Sequence, residues 1–202
     1  MKNYICINDK KVELTQEQVE QIRASLGLPA AQLKELNPGD TFKIGDHEFI
    51  VLEHVGADTA VIRKDLLPEN MAFGPNNNYN ESDVAQCCRS FAAEIADNIG
   101  AENILIHTVD LTSDDGLKDY GMVECKASLL TADRYRRYVE ILDKFKIDAW
   151  WWLATAFSTP RQDDESWVKC VSPSGRIRTD GYGFDFGVRP FCILKSTIFV
   201  SK

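Results

Sequence analysis

The segment Ala149-Trp150-Trp151-Trp152-Leu153-Ala154-Thr155-Ala156 is the longest apolar run in the chain, and its reading decides the architecture. Three consecutive tryptophans are too bulky for a turn and the run is too short for a helix of its own, so it predicts a strand buried on both faces or at its rim. Each Trp can bury about 150–250 Å², so Trp150, Trp151 and Trp152 are expected to nucleate the second half of a core. Toward the C-terminus, Trp167-Val168-Lys169-Cys170-Val171 and Ile177 read as a hairpin about Ser172-Pro173-Ser174-Gly175. Residues 179–187 read as a Gly- and aromatic-rich loop, and 188–194 and 198–200 as closing strands. Trp167 joins the expected core. Arg189, inside a closing strand, is expected to pair its guanidinium with a buried carboxylate or carbonyl.

Toward the N-terminus, Thr131 begins a helix with Tyr135, Tyr138, Val139 and Leu142 on its inner face. Ser82 or Asp83 caps another, in which Val84, Cys88, Phe91, Ile95 and Ile99 repeat at steps of four and three until Gly100 ends it. Between the two lie a short apolar segment, 104–111, and a polar loop, 112–121. Phe42 and Ile44, Phe49 and Val51, then Ala60 and Ile62 predict a three-stranded meander around Gly45-Asp46 and Gly56-Ala57-Asp58. The opening residues predict a hairpin, with Tyr4, Cys6, Val12 and Leu14 around Asn8-Asp9-Lys10. A helix capped by Thr15 and Gln18 follows, with Val19, Ile22 and Leu26 on one face. That unit cannot offset its own ordering entropy, so it must dock on the main domain or on a partner chain. The expected division is an N-terminal hairpin and helix, 1–36, offering a route to a homo-oligomer, and a main domain, 37–202.

Composition narrows the class. The 202 residues are 44% hydrophobic and 27% charged, which describes an ordinary globular chain able to bury a core without disulfides or a structural metal. Against 31 Asp and Glu stand 23 Lys and Arg, unclustered, for a net charge of −8; direct nucleic-acid binding is not expected. No apolar run approaches the roughly 20 residues of a membrane span, and no signal-peptide pattern opens the chain. Cys6, Cys87, Cys88, Cys125, Cys170 and Cys192 lack metal-ligand spacing and read as free thiols in a reducing compartment. The expected setting is the cytoplasm or a phage particle.

The order Trp151-Trp152-Leu153, then the hairpin strand ending at Ser174-Gly175, then Gly187-Val188-Arg189-Pro190 resembles a bacterial and prophage family of unknown function. Gly39-Asp40 with Phe42, Gly45 and the strand 49–52, Asn80-Glu81-Ser82, and Ala127-Ser128-Leu129-Leu130 before Tyr135 extend the resemblance over residues 37–202. That family is similar in its C-terminal half to the C-type-lectin-like fold, shared with formylglycine-generating enzymes and the variable proteins of diversity-generating retroelements. The resemblance implies an α+β fold, with an irregular antiparallel core, flanking helices and ligand contacts on long loops between the last strands. Ala154-Thr155-Ala156 departs from the family's Arg-Ser-Pro, which puts a polar contact there in doubt. The formylglycine activity needs a Cys pair on loops, whereas Cys170 and Cys192 fall in strands, so it is not carried over. The calcium-lectin tripeptides Glu-Pro-Asn and Trp-Asn-Asp are absent.

No residue pattern points to catalysis or to a cofactor. His47, His54 and His107 lie outside any metal or triad motif. Asp114-Asp115 and Asp163-Asp164-Glu165 read as solvated loops and no metal is expected. Gly181 and Gly183 open no helix, so no dinucleotide site follows. What remains is a surface: the loops 158–166 and 179–186 should meet if the 167–177 hairpin lies between them. Arg161, Gln162, Asp163, Arg178, Asp180, Tyr182 and Phe184 are the candidate ligand-binding residues, types that interface hot spots use. The expected function is non-enzymatic binding of a protein or glycan ligand. The alternative is an acidic prophage accessory protein that inhibits a host nucleic-acid-binding protein by charge mimicry.

Overall fold

The computed structural model describes residues 3–7, 10–14, 18, 22, 25, 26 and 31–201. In chain order these form β1 (Asn3–Ile7), β2 (Lys10–Leu14), β3 (Ala31–Gln32), β4 (Thr41–Ile44), β5 (His47–Val55), β6 (Asp58–Arg63), α1 (Asp83–Ile99), β7 (Ile104–Leu105), β8 (His107–Asp110) and β9 (Met122–Cys125). There follow β10 (Ala127–Ser128), α2 (Ala132–Leu142), β11 (Trp151–Ala156), β12 (Trp167–Val171), β13 (Ile177–Gly181), β14 (Phe191–Lys195) and β15 (Phe199–Val200). The fold is mixed α+β and mostly antiparallel sheet, with α1 and α2 wholly within the described residues.

The meander is the spine. β4, β5 and β6 pair in sequence, and β14 returns from the far end of the chain to lie against β6, giving the order β10-β14-β6-β5-β4 with β7 also on β14. Alternation along these strands buries both faces. Phe49, Val51, Val61 and Cys192 pack with Phe91 and Ile95 of α1, while Ile50, Leu52, Ile62 and Phe191 pack with Tyr135, Tyr138 and Leu142 of α2. The sheet is thus the middle layer between two helices. Each helix starts where a hydroxyl satisfies a free amide: Ser82 accepts from Ala85 N–H at 3.1 Å, and Thr131 from Arg134 N–H at 3.2 Å.

β11, β12 and β13 form a second sheet that contributes to both core layers. Trp152, Ala154, Val168 and Cys170 join the α1 side; Trp151, Leu153 and Val171 join the α2 side. The expectation that the tryptophan strand is buried on both faces holds from Trp151 onward.

Several expectations are corrected. Residues from Ala31, expected in the appendage, belong to the main core: β3 pairs with β15, and Leu33 and Leu36 are buried. β13 runs on to Gly181, into what reads as loop, because Asp180 and Gly181 continue the ladder opposite Val168 and Trp167. The last long strand starts at Phe191, since residues 188–190 are taken up by contacts with 63–67. Val139, placed on the inner face of α2, is exposed. β1 and β2 form the expected hairpin; most of the helix expected from Thr15, Val19 of its apolar face included, lies outside the described residues, while of that face Ile22 is half-buried and Leu26, expected to dock, is exposed.

Candidate ligand-binding surface

The surface grows from the start of the tryptophan strand. Trp150 stands just before β11, where Gly187 N–H donates to its carbonyl at 2.9 Å and Trp152 N–H donates to the Gly187 carbonyl at 3.0 Å. Gly187 leaves room there for Leu66: a Cβ would lie 2.3 Å from Leu66 Cδ1 and make that side chain shift. The neighbouring Phe186 exchanges backbone bonds with Met71, whose carbonyl also accepts from Trp152 Nε1 at 2.9 Å. Loop 181–187 is therefore pinned on both sides, and pinned loops can hold side chains in fixed positions.

On that frame three rings stack. Phe186 lies 5.5 Å from Trp150 at 21° and 6.0 Å from Phe184 at 17°, with buried Trp152 at 4.6 Å beneath. The stack is open to solvent at both ends, with Trp150 36% and Phe184 56% exposed. Trp167 is also open, 45% exposed. It is the register partner of Gly181, and a Cβ on Gly181 would touch the Phe184 ring at 3.6 Å, so Phe184 and Trp167 lie on the same face. Trp150 and Trp167 are thus not core, contrary to the sequence expectation; Trp151, Trp152 and Arg189 are. Arg189 donates to the carbonyls of Arg63 at 2.9 Å and Lys64 at 2.6 Å beneath the Trp151 ring, as expected of a structural arginine.

The two loops do meet: Tyr182 N–H donates to the Ser166 carbonyl at 3.0 Å. Loop 158–166 is in turn fixed by loop 112–121. Asp119 accepts from Thr159 Oγ1 at 2.6 Å and from Arg161, and Asp115 accepts from Ser158 Oγ at 2.6 Å and from Ser113. The Ser113 and Ser158 bonds hold the Asp115 carboxyl below its ordinary range. Buried Asn77 donates to the Ser158 and Trp167 carbonyls and accepts from Tyr120. Burial first, then the carboxylates of Glu165, Glu81, Asp119 and Asp164, push the Tyr120 phenol up to about 12, marking this flank as electronegative.

Not all seven candidates share the surface. Arg161, Gln162 and Asp163 are exposed on the fixed loop, Asp163 with a left-handed φ of 54°. Phe184 is the outermost ring. Tyr182 is half-buried against the α1-side core. Arg178 and Asp180 lie on β13 opposite Cys170 and Val168, the face away from Trp167, and Asp180 is engaged by Gly181 N–H at 2.9 Å. Alternation separates them from Trp167 and puts them on the same face as Cys170 and Trp152, a consequence of β13 running further than expected.

Sequence reasoning missed Lys169. It is buried between Trp167 and Val171, 2.7 Å from Asp114 and 3.0 Å from Thr179, with its ammonium 5.2 Å from the Phe157 ring centre. Asp114 also borders a polar cavity of about 340 Å³ beside Thr131, Arg134 and Arg136. A lone lysine in an apolar strand was the available signal.

Each histidine has a structural contact. His47 bonds Glu94 at 3.0 Å, His54 the Leu36 carbonyl at 2.7 Å, and buried His107 the Ser128 hydroxyl at 2.9 Å. Burial raises the thiols of Cys170, to about 12, and of Cys192. Among the described residues, no group of His, Cys, Asp and Glu has the geometry of a metal site, and no helix is long and apolar enough to cross a membrane. No family model matches the chain, and neither a curated protein nor a solved structure matches it.

Proposed function

We propose that the chain is a non-enzymatic binding protein of bacterial or prophage origin, built on a C-type-lectin-like scaffold, that presents the Trp150–Phe186–Phe184 stack and the loop 158–166 to a glycan or protein ligand. The observation that carries the reading is the stack itself: rings that could have folded inward are held open to solvent by backbone bonds on both sides. Exposed aromatics fixed on rigid backbone lose little entropy on binding, which is why they dominate interfaces. A sugar ring lays its C–H face on such a platform while carboxylates and amides take its hydroxyls; Asp163 and Gln162 supply both types on the adjoining loop. The engaged histidines and the raised, buried thiols support a role without chemistry.

Affinity electrophoresis through gels carrying bacterial surface polysaccharides tests the reading. Retardation that is lost in Phe184→Ala is expected for a glycan ligand. Capture of a protein partner with the same sensitivity to Phe184→Ala supports the protein ligand instead, and binding indifferent to Phe184 overturns the site.

One observation favours the charge-mimic alternative, the four carboxylates gathered about Tyr120. Its signature is partner binding that weakens steeply with salt, because exposed charge pairs are screened.

A further inference from the structure

β9 is an edge strand left open. It pairs with β8 alone. Leu111 N–H donates to the Gly121 carbonyl at 3.0 Å just beyond the ladder, which makes 111 and 121 a hydrogen-bonded pair. Antiparallel pairs alternate, so Val109 with Val123 and His107 with Cys125 exchange bonds, and Met122 and Glu124 aim their N–H and C=O groups outward. Among the described residues nothing bonds those groups. Proteins blunt such edges with proline, bulges or charge. The strand Met122-Val123-Glu124-Cys125 has a regular register, no proline and one charge. At the two ends of the β8–β9 hairpin stand exposed apolar side chains, Met122 at 70% and Ile106 at 64%.

Beside β9 lies a groove of about 640 Å³, with Glu124, Cys125 and Lys126 on one wall and Ala92, Ala93 and Ala96 of α1 on the other. Ile106, from the β8 side, also lines it, so the groove sits at the end of the hairpin where His107 pairs with Cys125 and reaches along β9 as far as Glu124. Its volume is that of an ordinary ligand site.

We propose that this groove takes an extended peptide from a partner protein, which adds to β9 as a further strand and sets an apolar side chain against the alanines of α1. Strand addition supplies affinity through the outward groups of Met122 and Glu124, and the alanine wall selects the side chain. The rim is charge-balanced, Arg89 and Lys126 against Asp97 and Glu124, so a peptide without strong net charge fits. A single added strand matches an edge with one row of outward groups, whereas a second copy would bring its own β8 along, about 4.8 Å further out. The site is remote in sequence from the aromatic stack and does not depend on it.

The test is selection of a displayed library of random short peptides on the whole chain. Enriched peptides are expected to alternate apolar and polar residues. Bound as synthetic peptides, they should slow hydrogen exchange at the Met122 and Glu124 amides by about tenfold or more. Ala93→Lys, on the exposed side of α1, should weaken them about tenfold or more, and Glu124→Pro, which removes one outward donor and leaves the β8 ladder intact, should do the same. Failure to enrich any peptide, or peptides indifferent to Ala93→Lys that leave β9 exchange unchanged, overturns the proposal. So does a dimer in which β9 is protected without peptide, which would assign the edge to self-pairing.

Discussion

Arg189 shows how a single side chain ties the two halves of the chain together. Its guanidinium is buried, bonded to two carbonyls of the β6 exit and stacked under Trp151, and burial lowers its pKa to about 10, so it stays charged at neutral pH. Removing it orphans the Arg63 and Lys64 carbonyls, and Arg189→Ala should cost about 3 kcal/mol in urea unfolding. Arg189→Lys should recover less than half, since an ammonium cannot span both acceptors in a plane. His107 predicts a pH effect. Burial, then the nearby Arg134 cation, lower its pKa to about 4, against about 6.5 in an unfolded chain. Between those values the unfolded state binds more protons, so this contribution is complete above about pH 6.5 and is lost as pH falls toward about 4, on the order of 3 kcal/mol in all. His107→Asn should flatten that difference between unfolding measured at neutral pH and near pH 4.5. The role of Arg189 was legible from its place in an apolar strand; the neighbours that set the pKa of His107 come from other elements and were not.

At the scale of elements, strand periodicity carried most of the legible fold, and its failures have local causes. Trp151 and Trp152 alternate into the two core layers as an apolar run predicts. Trp150 falls outside because β11 begins one residue later, where Trp151 bridges Gly187. Trp167 is exposed because its cross-strand partner is Gly181, which has no side chain to cover the ring. Trp152→Ala should therefore cost about 3–5 kcal/mol, whereas Trp150→Ala or Trp167→Ala should cost less than about 1 kcal/mol. The Lys169–Asp114 pair joins the loop 112–121 to the three-stranded sheet across a long sequence separation, which no local pattern announces. Asp114→Asn, leaving a buried ammonium without its counter-charge, should destabilise by about 2 kcal/mol, while Lys169→Met should be close to neutral. β9 and β10 escaped notice because strands of four and two residues carry too little period to read.

For the molecule as a whole, β14 closing on β6 makes one body of the meander, both helices and the tryptophan sheet, and the aromatic stack stands on that body. The division of labour among the four tryptophans follows from it: two are buried and two are open. The net charge of −8 adds a whole-molecule prediction, that a charge-mimic partner would be released by added salt whereas a ligand stacked on the rings would not. The central claim is that the open rings bind and do not hold the fold. Its most direct test is the double variant Trp167→Ala/Phe184→Ala, assayed for ligand retention and thermal unfolding together. The account predicts retention lost by about tenfold or more with a melting temperature within about 3 °C of the parent. A fall of about 8 °C or more, or retention unchanged, would contradict it.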